Sequence, residues 1–319
     1  MEEQLTGNTM TIIDAHSHLW LKQDTCWNGR VIRSKANGRA DFLGEEVQMI
    51  PPFIIDGRNT AEIFLSNMDY AQVSAAVVVQ ELIDGCQNNY LREVKKAYPD
   101  RFVVCGMCDY LGASAGEDSL AMEAEELYRQ GFEGIAVPAH RLILDDRRVM
   151  LNSERMMRMF RKMEECGMFL SITLADGDAQ VAEMEDVIAG CPRLRIAVGH
   201  FGMPTKAGWE RQVMLAVNKN VYVEAGGITW LYNSEFYPFP SAVRAIREAA
   251  GICGMEKLMW GSDYPRTITA ITYRMSYDFI LKSNELSGRD KALFLGDNAR
   301  KFYGIEPEID LPYIKNMSE

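Results

Sequence analysis

The chain has 319 residues, of which 47% are hydrophobic and 25% charged, ordinary values for a globular protein that buries a sizeable core. Its net charge of −11 excludes general binding to phosphate backbones, which requires a basic footprint, so no nucleic-acid partner is expected. No apolar run approaches the roughly 20 residues that span a bilayer, and Met1–Thr9 is polar and acidic without the features of a signal segment. The expectation is a soluble, cytoplasmic protein with no membrane partner.

The first predicted strand is Thr11-Ile12-Ile13, β-branched residues running into Asp14-Ala15-His16-Ser17-His18. Residues two apart in a strand point to one side, so His16 and His18 present two imidazoles to the same space. They are half of the four histidines in the chain. Either they are hydrogen-bonded at a strand end or they belong to a metal or catalytic centre. Residues 21–58 then read as a long irregular loop, with Gly29, Gly38, Gly44, Gly57 and the Pro51-Pro52 pair. A loop of this length with Trp27, Phe42, Met49, Ile50 and Phe53 is expected to be an ordered insertion covering a site. Asn59-Thr60 cap a helix running to about Gln72.

From Ser74 onward, short apolar runs alternate with amphipathic stretches. Strands are expected at Ala75–Val79 (closed by Gln80), Phe102–Met107, Gly134–Val137 (followed by Pro138-Ala139-His140) and Met168–Leu174. Further strands fall at Arg195–Val198 (ending at Gly199-His200), Val221–Glu224 and Lys257–Trp260 (ending in Gly261-Ser262-Asp263-Tyr264-Pro265). Helices fall between them, at Asn88–Tyr98, Asp118–Gln130, Ser153–Cys166, Asp178–Ala189, Trp209–Asn218 and Ser241–Ala250. In Ser153–Cys166, Met156, Met157, Met159 and Met163 read as core filler, and Gly167 as the stop. Near-continuous apolar strands indicate a parallel sheet buried on both faces. Eight such repeats over about 250 residues predict an α/β fold, a (β/α)₈ TIM barrel. An open doubly wound sheet would call for a glycine-rich phosphate loop, and the chain contains none. The whole of 1–319 reads as one barrel domain.

The seven cysteines are odd in number and scattered. Cys105-Gly106-Met107-Cys108 has a C-x-x-C spacing, but it lies in a buried strand and no second pair supports zinc, so reduced thiols are expected.

Catalytic groups of such barrels collect at the C-terminal ends of the strands. Here those ends carry His16 and His18, Gln80, His140, Thr173, His200, Glu224 and Asp263. Imidazole and carboxylate together are what zinc or manganese takes. His16, His18 and Asp263 are therefore the candidate ligands, with Asp263 also placed to accept a proton from water. Arg141 and Arg266 each suit a substrate carboxylate. His140 either lines the site or sits on the surface after Pro138. Trp20, Trp230, Tyr232 and Tyr264 are either walls or packing.

Ile13-Asp-Ala-His-Ser-His18, Val198-Gly-His200-Phe-Gly-Met-Pro204 and Trp260-Gly-Ser-Asp263-Tyr-Pro265 resemble the strand-one, strand-six and strand-eight motifs of the amidohydrolase superfamily, amidohydrolase-related branch. The resemblance spans residues 10 to about 304 and implies a barrel of the metal-dependent-hydrolase type. It implies metal positions at His16, His18 and Asp263, and at His200 a histidine that contacts substrate or water. It includes sugar-acid and pyrone lactonases as well as zinc-dependent decarboxylases. Metal-binding members carry a further histidine at strand five, where this chain has Thr173; the lactonase group is similar in lacking it, and some of its members work without metal. Gln80, His18-Leu19-Trp20 and Trp209 are also lactonase-like. Ala136 after Gly134-Ile135, in place of an arginine, and Glu224, in place of a lysine, depart from that group.

Two reactions follow as expectations. The first is water attack on a lactone of a sugar acid or dicarboxylate, with Asp263 as base and His200 at the developing oxyanion. Gln80, His140, Arg141, Thr173, Glu224 and Arg266 would bind that small-molecule substrate. The alternative is metal-dependent, non-oxidative decarboxylation of an unsaturated or aromatic acid. A barrel that only binds a small molecule is the non-enzymatic reading. A divalent metal, zinc or manganese, is expected as cofactor, with metal-free catalysis left open by Thr173. A homodimer is expected from the habit of such barrels.

Overall fold

Eight short parallel strands in one sheet carry the site. The computed structural model describes residues 10–112, 116–144, 148–306 and 309–315, so Met1–Thr9 lie outside the described residues. Among the described residues the strands in chain order are β1 (Ile13–Ser17), β2 (Asp24–Trp27), β3 (Arg30–Ser34), β4 (Arg39–Phe42), β5 (Glu45–Gln48), β6 (Ala75–Val78), β7 (Phe102–Gly106), β8 (Gly134–Val137), β9 (Phe169–Ile172), β10 (Arg195–Val198), β11 (Val221–Glu224) and β12 (Leu258–Met259). The barrel takes β1 and β6 to β12 in sequential order, all pairs parallel.

The barrel closes between its first and last strands. Ala15 N donates to Trp260 O at 2.9 Å, Asp263 N to His16 O at 2.9 Å, and His18 N to Tyr264 O at 2.8 Å. Because β12 itself is only two residues long, closure is made mainly by the Trp260–Tyr264 segment beyond it. A buried carboxylate pins the same seam: Asp14 accepts from Ser262 N at 2.8 Å, Ser262 Oγ at 2.5 Å and Tyr273 OH at 2.7 Å. Burial raises the Asp14 pKa to about 6, against the pull of these bonds.

Alternation along each strand divides the apolar residues between two cores. Ile13, Ala15, Val77, Cys105, Ala136, Phe169, Ala197, Tyr222 and Met259 point inward, and Phe302 and Tyr303 of the C-terminal helix Asn298–Tyr303 join them. The other faces pack on the helices. Glu154–Cys166 buries Met156, Met157, Met159, Phe160 and Met163, and its C-cap Gly167 is left-handed with φ +71. These are the methionines expected as core filler. All seven cysteines are free, and burial raises the Cys105 and Cys108 thiols far above their ordinary value, which leaves them un-ionised.

Residues 21–58 differ from the irregular loop expected of them. They contain β2 to β5, a four-stranded antiparallel meander. The Asn28-Gly29 turn joins Trp27 to Arg30, with φ +46 and +75, as a two-residue hairpin turn with both central residues left-handed demands. Leu43-Gly44 does the same between Phe42 and Glu45. The Asn-Gly pair is a strong hairpin signal, masked here because the flanking strands are mostly exposed and carry charged residues on both sides of it. The inserted sheet packs on the barrel through Trp27 and Ile32 against Ile83. Among the described residues, no helix is long and apolar enough to cross a membrane.

Candidate active site

A cavity of about 220 Å³ opens at the C-terminal ends of the barrel strands. His16, His18, Gln80, His140, Arg141, Thr173, His200, Asp263 and Arg266 line it, which brings together every residue predicted for the site except Glu224. Glu224 is 1% exposed and stands behind His16, not in the cavity. Its Oε1 lies 2.7 Å from His16 Nδ1, and its Oε2 accepts from Gly226 N at 2.5 Å. The structure does not bring Glu224 into the cavity with the other residues expected to bind substrate: β11 ends with this side chain turned into the barrel, where its partners are the His16 imidazole and the Gly226 backbone N. Gly261 permits this approach, since a Cβ there would stand 2.7 Å from His16 Cβ and 2.9 Å from Glu224 Oε2.

His16 Nε2, His18 Nε2 and Asp263 Oδ1 converge. The two nitrogens are 3.2 Å apart, and the carboxylate oxygen lies 3.1 Å from His18 and 3.8 Å from His16. Four-coordinate zinc with bonds of about 2.0–2.1 Å sets its ligands about 3.3 Å apart, so this triangle fits a divalent metal. Burial, then the neighbouring His18, lowers the His16 pKa to about 3, so His16 is a neutral imidazole. Burial raises Glu224 to about 7. With Glu224 ionised, its Oε1 accepts the proton of His16 Nδ1, which leaves His16 Nε2 unprotonated and directed at the cluster, the state a metal ligand needs.

Asp263 has φ +56, a left-handed conformation in which aspartate is among the better tolerated side chains. Its Oδ2 accepts from Trp230 Nε1 at 3.0 Å. Burial works to raise its pKa, but the His18 hydrogen bond and the charge of Arg266 outweigh it and hold the carboxyl well below its usual range. Asp263 is therefore ionised at neutral pH. Trp230 thereby has a polar role beyond forming a wall.

His200 Nδ1 lies 2.7 Å from Gly226 O. A carbonyl only accepts, so Nδ1 carries the proton. Burial lowers the His200 pKa, so the ring is neutral and Nε2 offers a lone pair. A neutral ring in this tautomer cannot donate to an oxyanion, which revises the role expected of His200. It suits an acceptor from water or from a substrate hydroxyl.

Two acidic residues that sequence reasoning missed hold the basic groups of the site, Glu81 lining the cavity and Asp84 standing behind it. Glu81 Oε2 lies 3.0 Å from His140 Nε2 and 3.3 Å from Arg141 Nε. Burial works to raise the Glu81 pKa, but the His140 hydrogen bond and the charges of His140, Arg141 and Arg266 lower it to about 2. Asp84 accepts from Arg266 Nη2 at 2.8 Å, while Arg266 Nη1 is buried with no hydrogen-bond partner. The one available signal was position: both acids follow the end of β6, the place where a barrel collects its chemistry. Gln80 lines the cavity but is occupied, bonding Asn88 Oδ1, Cys105 O and Gln87 N.

The sequence pattern of the amidohydrolase family matches residues 13–305, and the chain belongs to that family of enzymes. A solved structure described as a probable 2-pyrone-4,6-dicarboxylic acid hydrolase from Acinetobacter baumannii, with citric acid bound, is similar with a TM-score of 0.67 and 20% identity, over 92% of this chain and 100% of that one. An amidohydrolase from Burkholderia multivorans with bound zinc gives 0.63 and 15%, over 92% and 99%. The 5-carboxyvanillate decarboxylase from Sphingomonas paucimobilis gives 0.57 and 17%, over 78% and 84%. At these identities the likeness establishes the shared barrel fold. No curated protein matches the chain significantly by sequence.

Proposed function

We propose that this protein hydrolyses a lactone of a sugar acid or dicarboxylate, with Asp263 as the base. The observation that carries the reading is the Asp263 carboxylate, ionised and held between His18 and Trp230 at the edge of a cavity that also contains the acceptor nitrogen of His200. Asp263 takes the proton of the attacking water, and His200 Nε2 accepts a second hydrogen bond from that water and aligns it. The buried Nη1 of Arg266 donates to a carboxylate or ring oxygen of the substrate, and Arg141 and His140 line the same cavity. Thr173 offers a hydroxyl where a further imidazole would otherwise stand. Residues 21–58 support the cavity from behind, through Trp27 and Ile32 packed on the lining residue Ile83 and Gln23 bonded to Asp84, and belong to the same functional unit.

His16, His18 and Asp263 would hold a divalent metal, for which the zinc-bound relative gives support. When bound, the metal supplies Lewis-acid polarisation of the lactone carbonyl. Zinc is the first choice for two imidazoles and one carboxylate, with manganese the second.

A panel of aldonolactones and cyclic dicarboxylate esters, assayed with and without a chelator, tests this reading. Ring opening by wild type, with kcat lower by a factor of about 10²–10⁴ in Asp263→Asn and KM little changed, is the expected result. Wild-type turnover by Asp263→Asn would sink the assignment. Release of CO₂ from an aromatic carboxylic acid, with no lactone opened, would favour decarboxylation on the same cluster instead.

A further inference from the structure

Two polar atoms left over by the proposed reaction face each other beside the cavity. His18 Nδ1 and Asp84 Oδ2 are buried, neither has a hydrogen-bond partner, and they stand 3.6 Å apart. Leaving both unpaired away from water costs more than pairing them. The other half of Asp84 is already tied, since Oδ1 accepts from Gln23 Nε2 at 2.6 Å and from Arg266 Nη2 at 2.8 Å. Gln23 is itself fixed to the inserted sheet, its Oε1 accepting from Ser34 Oγ at 2.9 Å. Across the cluster the equivalent arrangement is complete, with Glu224 at 2.7 Å from His16 Nδ1.

We propose that, once a cation replaces the hydrogen bond from His18 Nε2 to Asp263 Oδ1, Asp84 is the positioning residue for His18, its Oδ2 accepting the Nδ1 proton and so directing the bare Nε2 at the metal cluster. Each imidazole of the His-x-His pair then has a carboxylate behind it, Glu224 for His16 and Asp84 for His18. A carboxylate only accepts, which fixes the proton on the far nitrogen and leaves the near one free for a cation. The same carboxylate orients Arg266, so one side chain anchored by Gln23 links the inserted sheet, a metal ligand and a substrate-facing guanidinium. The proposal rests on the reading of His18 as a metal ligand. It does not depend on which reaction follows.

Asp84→Asn discriminates. The amide oxygen stays on the Gln23 and Arg266 donors, and the amide NH₂ turns toward His18 Nδ1, which must then accept. The proton moves to Nε2 and the metal loses a ligand. Competition for Zn²⁺ with a chromophoric chelator should show affinity lower by about 10–100-fold in Asp84→Asn, largely recovered in Asp84→Glu. A purely structural role would lower the melting temperature and leave the zinc affinity of the folded variant within threefold of wild type, which overturns the proposal. A second readout needs no variant: in the zinc-loaded wild type, ¹H–¹⁵N imidazole spectra should show a His18 Nδ1–H shifted downfield and protected from solvent exchange. A signal that exchanges as fast as free imidazole overturns it as well. Wild type that takes up no zinc overturns this proposal and the metal reading together. Tight zinc binding with no lactone opened overturns the reaction alone.

Discussion

At the scale of single residues, the site is built from pairs in which one group fixes the proton of another. Glu224 does this for His16, the Gly226 carbonyl for His200, and the Trp230 indole holds one oxygen of Asp263. Glu224→Gln tests the first pair. Glutamine has one side-chain oxygen, which can serve His16 Nδ1 or Gly226 N but not both. Zinc affinity and kcat/KM should each fall by about 10–100-fold; unchanged zinc affinity would show that Glu224 does not orient His16. The residues that announce the chemistry were legible because their types are rare and their spacing is regular. His16 and His18 share one strand face, while His200 and Asp263 follow strand ends. Asp84 and Glu81 were not legible. Acidic residues are numerous in this chain, and nothing local marks two of them as buried.

At the scale of elements, the inserted sheet β2 to β5 bears on the cavity through few contacts. Trp27 and Ile32 pack on Ile83, which lines the cavity, and Gln23 holds Asp84. Ile32 is fully buried in this small cluster. Ile32→Ala removes packing worth about 2–5 kcal/mol at a well-packed site. Since the cluster is a satellite of the main core, the loss should appear as local loosening of residues 24–48. The expected outcome is faster amide exchange in those residues and a raised KM with kcat nearly kept; a fall in kcat at constant KM would count against the insert supporting the cavity wall through Ile83. The barrel strands were readable from continuous apolar runs. The insert was not, because its strands expose most of their residues and so show no strong alternation. Only the Asn28-Gly29 turn betrayed it.

At the scale of the whole molecule, buried carboxylates make stability depend on pH in opposite directions. Glu81 has its pKa lowered to about 2 by His140, Arg141 and Arg266 against the effect of burial. In the unfolded chain it titrates near about 4.3. Its contribution is therefore fully present above about pH 4.3 and is lost as pH falls toward 2. Glu81→Gln should be less stable than wild type near neutrality, with the gap closing between about pH 4 and pH 2 in denaturant midpoints. A gap that stays constant over that range would rule out this linkage. Asp14, raised to about 6 by burial, acts the other way: its contribution is greatest below about pH 4 and is lost as pH rises through 6.

The sequence by itself determined the architecture and the main constellation. Apolar periodicity dictates a buried parallel sheet, and a His-x-His pair, a Gly-His and a Gly-Ser-Asp at strand ends must meet at one mouth once eight strands close. Tertiary structure alone decided which groups face the cavity and which stand behind them. Glu224 turned inward to His16, and His200 was committed to a lone pair by the Gly226 carbonyl. Asp84 became part of the centre through Gln23 of an insert 61 positions earlier in the chain. The physical reason is that strand and helix patterns are set by local burial, whereas the protonation and orientation of a buried side chain are set by partners that any stretch of the chain can supply.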